Sequence, residues 1–172
     1  FAHFRPRTPT TLLLVYALPT LLVTRKTETP AVDTAPPAVD ISEALVGTWE
    51  TSEVEANSPT YQGLDTTIHQ IIREADWGRL YGVRPARTEY TADGKLKRTY
   101  YNANGQITDV TNGLWKAKGA DSIFVIELNT TLNYRHELNG ERLTLTGIID
   151  WDFDGEKDDD YRAVLRLVSR TN

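Results

Sequence analysis

One acidic stretch has both the residue types and the spacing to bind a metal ion. Residues 150–160 hold seven carboxylates and one lysine in eleven positions, while the whole chain has a formal net charge of only -5. Like charges this close repel one another unless a cation lies among them. Aspartate at positions 1, 3 and 5, glycine at 6 and aspartate at 9 is the spacing of a calcium loop. The sequence therefore predicts Ca²⁺ (Ca2+) held by Asp150, Asp152, Asp154, Glu156 (through its carbonyl) and Asp158.

The surroundings of this loop differ from those of an EF-hand, which needs a glutamate at position 12 and a helix on each side. Position 12 is Tyr161, and the flanking residues 143–146 and 163–168 have strand composition. The loop instead resembles the nine-residue calcium loops on β-hairpins of integrin-type propeller blades, with Asp158 as the closing carboxylate. The alternative is an acidic, solvated hairpin that binds no metal. A bound ion would be structural.

Composition limits the classes of function. A length of 172 residues fits one domain of about 130 residues with an N-terminal appendage. The negative net charge, without a run of basic residues among aromatics, argues against a nucleic-acid partner. The chain contains no cysteine, which excludes disulfides and thiol chemistry.

The N-terminal residues 1–26 have the layout of a secretory signal, in which basic residues precede an apolar run at residues 12–23. The segment is similar to a bacterial lipoprotein signal, although the lipidated cysteine is missing. The apolar run is about 20 Å long as a helix, against a hydrocarbon core about 30 Å thick, so it predicts a membrane anchor rather than a full crossing. Residues 27–40 are rich in proline and predict an extended linker.

Anchor, spacer and a folded head at residues 41–172 together predict a membrane-anchored protein on the extracytoplasmic side, in the periplasm or at the cell surface. A short apolar segment needs membrane polypeptides or lipid around it. The expected partners are therefore lipid and the subunits of a membrane protein complex, with respiratory or photosynthetic assemblies as candidate hosts. Extracellular calcium would fill even a weak loop. One hypothesis is thus a non-catalytic accessory subunit that stabilises such a complex.

The head consists of short strand-like runs separated by turn dipeptides such as Asp93-Gly94 and Asn139-Gly140, which supply the positive φ angles of tight hairpins. The runs cover residues 45–52, 86–91, 96–101, 107–116, 122–128, 132–138, 142–149 and 161–169. They predict an all-β fold, an eight-stranded antiparallel up-and-down barrel, because closure removes both sheet edges. About eight strands leave room for packed side chains or one small ligand.

The first strand carries a family resemblance. Gly47-Thr48-Trp49 matches the Gly-x-Trp signature of lipocalins. In that family an arginine late in the last strand packs over the indole and closes one barrel end, a role that the resemblance gives to Arg166 or Arg170. The head resembles the lipocalin-like domains of bacterial lipoproteins, without the C-terminal helix of classical members. The resemblance implies a carrier of a small hydrophobic ligand, which is the alternative to the accessory subunit.

One short helix is predicted between the first two barrel strands. The segment Thr67-Ile68-His69-Gln70 fits a capping box, apolar residues recur at helical spacing over residues 64–75, and Gly78 follows as a stop. The helix would be a lid or docking surface over the barrel mouth, or a plug of one barrel end. Amphipathicity does not distinguish these roles.

No group of residues predicts catalysis. The three histidines form no His-x-His or His-x-x-x-His pair, and the chain has no nucleophile elbow or phosphate-binding glycine loop. Tyr134 and His136 share the inward face of their strand, where they could contact a ligand. For His136 the alternative is a hydrogen-bonded wall residue. We therefore expect a protein that is not an enzyme.

Overall fold

The computed structural model describes residues 41–127 and 130–170. The predicted anchor at residues 1–26 and linker at residues 27–40 lie outside the described residues. In the part of the chain that is described, no helix has the length and apolarity needed to cross a bilayer.

Strands dominate the described residues. In chain order the elements are α1 (Ile41–Ala44), β1 (Gly47–Ser58), a short 3-10 helix (Tyr61–Gly63), β2 (Ile68–Arg73), α2 (Glu74–Tyr81), β3 (Val83–Tyr90), β4 (Lys95–Asn102), β5 (Ile107–Lys118), β6 (Ser122–Glu127), β7 (Thr130–Asn139), β8 (Arg142–Ile149) and β9 (Asp159–Ser169).

Eight of these strands, β1 and β3–β9, form a closed antiparallel barrel. Consecutive barrel strands are neighbours in the sheet, and β1 pairs with β9 from Thr48↔Ser169 to Asn57↔Asp160, which closes the ring. The predicted eight-stranded up-and-down barrel is thereby confirmed. Side chains alternate between the inward and outward faces of each strand. A shift of a strand by one residue would therefore turn its inward apolar side chains to the outside.

Strand β1 changes partners along one edge. Residues 47–50 pair with β3, whereas residues 53–58 pair with β2. A register shift between Thr51 and Glu53 on the β9 side marks the point of change. Strand β2 therefore pairs with the part of this β1 edge that β3 does not reach.

A helix does lie between the first two barrel strands, but the predicted position at residues 64–75 is wrong. Ile68–Arg73 forms β2, and the helix is Glu74–Tyr81, which runs through the predicted stop Gly78. It ends at Gly82, whose φ of 63° is left-handed. The edge of β1 beyond Glu50 would otherwise leave backbone donors and acceptors unpaired, so strand pairing outweighs the helical spacing of the apolar residues.

The barrel end at which β1 begins and β9 finishes is closed by packed side chains. Ile41, Leu45 and Trp49 are each at most 3% exposed, and Trp49 Nε1 donates to the Leu45 carbonyl at 2.8 Å. Arg170 lies over the Trp49 ring at 5.6 Å from the centroid. Of the two candidate arginines, Arg170 makes this contact, whereas Arg166 forms ion pairs elsewhere.

The opposite barrel end carries the irregular elements. The antiparallel order places there the connection from β1 to β2, helix α2 and the acidic loop, residues 150–158, between β8 and β9. The candidate sites gather at this end.

Candidate functional site

The acidic loop brings three carboxylates together. One oxygen from each of Asp150, Asp152 and Asp159 lies within 4.8 Å of the others. Asp159 is the first residue of β9 and is 1% exposed, and its Oδ2 accepts from the backbone N–H of Trp151 at 2.5 Å. Asp159 lies one position beyond the nine-residue calcium spacing, so that template did not include it.

Asp150 provides the observation that tests the fit to a cation. Its Oδ2 accepts from the backbone N–H of Gly155 at 3.2 Å, while its Oδ1 is buried and has no hydrogen-bond partner among the described residues. An unpaired buried carboxylate oxygen is costly unless a cation compensates it. The all-oxygen set of Asp150, Asp152 and Asp159 fits a hard divalent cation.

The other predicted ligands lie outside this group. Asp154 accepts from the backbone N–H of Glu156 at 2.8 Å and of Gly63 at 3.0 Å. Asp158 accepts from the Thr60 hydroxyl at 2.9 Å, and Glu156 is exposed. The carboxylates of Asp154 and Asp158 thus accept hydrogen bonds from other groups of the protein.

The same contacts join the acidic loop to the connection between β1 and β2. Asp152, Asp154 and Asp158 accept from Gln62, Gly63 and Thr60 of that connection. Among the described residues other than glycine, only Gln62 (φ 54°) and Phe153 (φ 62°) have positive φ, and both lie in this pair of loops. Left-handed backbone at such residues persists only where surrounding contacts hold it, so the two loops stabilise each other's conformation.

A cavity of about 590 Å³ occupies the barrel interior. Residues from seven strands, β1, β3–β5 and β7–β9, line it, together with Trp77 of α2 and Trp151 of the acidic loop. Its aromatic members are Trp77, Tyr90, Tyr100, Tyr101, Tyr134, Trp151 and Tyr161. This size and apolar, aromatic lining are typical of small-molecule sites.

Trp151 connects the acidic loop to the cavity. Its indole lies 5.6 Å from the Tyr161 ring, and its Nε1 donates to Gln70 of β2 at 2.8 Å. The loop that gathers the three carboxylates therefore also supplies part of the cavity wall.

One half-buried arginine, Arg98, lines the cavity. Arg98 lies between Leu96 and Tyr100 on the inward face of β4. Its Nη1 donates to Glu127 of β6 at 3.0 Å and its Nε to Thr88 at 3.2 Å. Burial opposes its charge, but Glu127 and the surrounding tyrosines outweigh this and raise the pKa of Arg98. The inward alternation of β4 was the signal that could have identified it.

The interior tyrosines stay protonated. Burial raises the pKa of Tyr90 to about 12, and it also raises the pKa of Tyr134 and of Tyr161. Their hydroxyls are therefore neutral donors at physiological pH. Tyr134 was predicted to face the interior, and it lines the cavity as a 6% exposed residue.

His136 lies away from the cavity lining, although its strand position is inward. Both ring nitrogens are buried, and neither has a hydrogen-bond partner among the described residues. No hydrogen bond within the described residues supports the interpretation of His136 as a hydrogen-bonded wall residue. Burial lowers the pKa of His136, with Asp121 acting weakly in the other direction.

Helix α2 is tied to the barrel by an ion-pair chain. Arg166 of β9 contacts Glu74 of α2 at 2.9 Å and Glu50 of β1 at 2.5 Å, and Arg87 contacts Glu50 at 2.7 Å. Trp77 of α2 lines the cavity, and its Nε1 is buried without a partner in the described part of the chain. The helix thus contributes an aromatic wall to one side of the cavity.

No protein-family model matches this chain, and no curated protein sequence matches it.

Proposed function

We propose that the barrel is a non-enzymatic carrier that holds one small, largely apolar molecule in its interior. The observation that supports this function is the aromatic cavity of about 590 Å³. Packed side chains could have filled an eight-stranded barrel, so retained interior space favours a ligand. The resemblance to lipocalins at Gly47-Thr48-Trp49 favours the same function.

The test is binding of the neutral dye Nile red to the purified protein, followed by its emission wavelength. An interior site predicts a blue-shifted, saturable signal that Ala163→Phe abolishes, because Ala163 lines the cavity and is 3% exposed. Leu114→Ser is the control, since Leu114 is an exposed apolar residue on the outside of the barrel. Loss of signal in the Leu114 variant alone would assign the dye to the outer surface and contradict the carrier.

We also propose that Ca²⁺ binds to Asp150, Asp152 and Asp159 and stabilises the acidic loop. Oxygen ligands and clustered negative charge favour this hard cation. Because Trp151 belongs to both the loop and the cavity wall, the ion would support the wall of the carrier site. The buried, unpartnered Asp150 Oδ1 supports this proposal.

The accessory subunit of an extracytoplasmic membrane complex is the second candidate function. It is favoured by an apolar pair on the outer face, Leu114 and Ile126, which are opposite each other in register and 53% and 44% exposed. Exposed apolar patches are typical of protein contact sites. Native mass spectrometry after mild extraction should show co-migration with larger subunits that Leu114→Asp disrupts. The control Leu80→Asp changes an exposed leucine of α2 and should have no effect.

A further inference from the structure

The electrostatic balance of the barrel interior restricts the ligand class. Arg98 is the charged residue deep in the cavity lining, and 28% of its side-chain surface remains accessible. Glu127, 8% accessible, already pairs with it and also accepts from the Thr111 hydroxyl at 3.3 Å. The other charged lining residues, Arg84 and Asp109, are opposite in sign and exposed.

An anionic ligand would therefore enter a site whose buried positive charge is already compensated. Burying an extra charge that lacks a free partner is costly, whereas burying a neutral acceptor is not if a donor meets it. An apolar ligand without any acceptor would leave the interior donors unpaired.

The donors available to a ligand are hydroxyls. Within the described residues, neither the Tyr134 hydroxyl nor the Tyr161 hydroxyl has a hydrogen-bond partner, and the positive charge of Arg98 acts to lower the pKa of each against the larger effect of burial. Tyr134 packs against Tyr161 with ring centroids 6.0 Å apart. Both tyrosines line the same cavity as Arg98.

We propose that the Arg98–Glu127 pair selects an uncharged, mainly aromatic or alicyclic ligand that carries a hydrogen-bond acceptor such as a ketone carbonyl. The acceptor binds to the Tyr134 and Tyr161 hydroxyls, and Glu127 excludes carboxylates by neutralising Arg98. This inference rests on the proposed carrier function.

Three naphthalene probes of matched size test the ligand class by calorimetry at pH 7. They are 2-acetylnaphthalene, which has a ketone, 2-ethylnaphthalene, which has no acceptor, and 2-naphthoate, which is an anion. We expect the ketone to bind about ten-fold more tightly than either of the others, the gain of one to two net hydrogen bonds. Tighter binding of 2-naphthoate than of the ketone to the unmodified protein would overturn the inference.

Substitution of Glu127 directly tests whether the Arg98–Glu127 ion pair selects the charge of the ligand. Glu127→Gln removes the compensating charge, so 2-naphthoate should gain about ten-fold or more in affinity while 2-ethylnaphthalene changes little. Glu89→Gln is the matched control. Glu89 of β3 is opposite Lys97 of β4, one pair along from Thr88 and Arg98, and forms an ion pair with Lys97 at 3.7 Å on the outside of the barrel. It changes the net charge equally and should leave the ranking of the probes unaltered.

Tyr134→Phe provides an independent variant if Glu127→Gln does not fold. It should reduce the preference for the ketone over 2-ethylnaphthalene without reducing the affinity for 2-ethylnaphthalene. An unaltered ranking in folded Glu127→Gln, or an undiminished ketone preference in Tyr134→Phe, would overturn the inference and leave the carrier function intact. Failure of all three probes to bind the folded protein would instead overturn the carrier function itself.

Discussion

The guanidinium of Arg170 covers the indole of Trp49, and the same arginine donates to the Val46 carbonyl at 3.4 Å. Trp49 is 0% exposed and lies near the start of β1, while Arg170 follows the last residue of β9. These are the two strands whose pairing closes the barrel. The contact therefore reinforces the closing seam at its end.

Truncation of this contact should destabilise the barrel. Trp49→Ala should lower the free energy of unfolding by about 3–5 kcal/mol, because it leaves a large cavity in the core. Arg170→Met should cost about 1–2 kcal/mol through loss of the cation–π contact and the backbone hydrogen bonds. Urea unfolding measures both, with the exposed Arg135→Met as a control. A cost below about 1 kcal/mol for Trp49→Ala would show that the indole does not seal the barrel.

Calcium should raise the melting temperature, and a chelator should reverse the increase. An ion bound only by the folded state adds about 2.7 kcal/mol at a free concentration 100 times the dissociation constant. Asp150→Asn should abolish the calcium response, since Asp150 is part of the carboxylate group, whereas Asp160→Asn should preserve it, since Asp160 is exposed and outside the group. Identical melting curves with calcium and with chelator in the unmodified protein would remove the metal from the proposal.

His136 should make the protein less stable in mild acid. Burial lowers the pKa of this imidazole below its ordinary value of 6.5, so the unfolded chain binds the proton at higher pH than the folded chain does. Stability should fall as pH decreases from about 6.5 through the folded-state pKa, and then level off with respect to this group. His136→Leu should flatten that part of the stability curve, and Asp121→Asn should steepen it. A curve of unchanged slope in His136→Leu would contradict the assignment.

Glu50 should contribute stability that is lost at lower pH. Burial opposes ionisation of Glu50, but hydrogen bonds from Arg166 and Arg87 outweigh it and lower its pKa from 4.5. The stabilisation is present above the unfolded-state pKa and disappears as pH falls through the folded-state value. Glu50→Gln should therefore be destabilising at pH 7 and should reduce the slope of stability below about pH 4.5. Thermal unfolding across pH 3–7 measures the two slopes, and equal slopes would contradict the prediction.

The barrel could be predicted because strand-like alternation of apolar residues and turn dipeptides agree along most of the head. Strands such as β8, Arg142–Ile149, have the predicted bounds, with apolar residues alternating between turns. The error at residues 68–73 has a specific cause. The segment Ile68–Arg73 satisfies helical and strand spacing alike, and the choice depends on a free edge of β1 far along the chain.

The site could be predicted only in part. The calcium spacing includes two members of the carboxylate group, Asp150 and Asp152, but Asp159 joins them through the turn back into β9, which a linear template does not contain. The inward position of Tyr134 could be predicted from the alternation of side chains along its strand, and that of Arg98 could have been predicted in the same way. The pairing of Arg98 with Glu127 could not be predicted, because it joins β4 to β6, which are separated in the sheet by β5.

The exchange of partners along β1 has a mechanical consequence. The ring of eight strands is closed by the seams of β1 with β3 and with β9, and β2 belongs to neither. We therefore expect strand β2 and helix α2 to separate from β1 more readily than the ring of eight strands opens. Such a separation would break the β1–β2 ladder, the Glu74–Arg166 ion pair, the His69–Glu55 contact and the hydrogen bond from Trp151 to Gln70. Amide protons of β2 should accordingly exchange with solvent faster than those of β9.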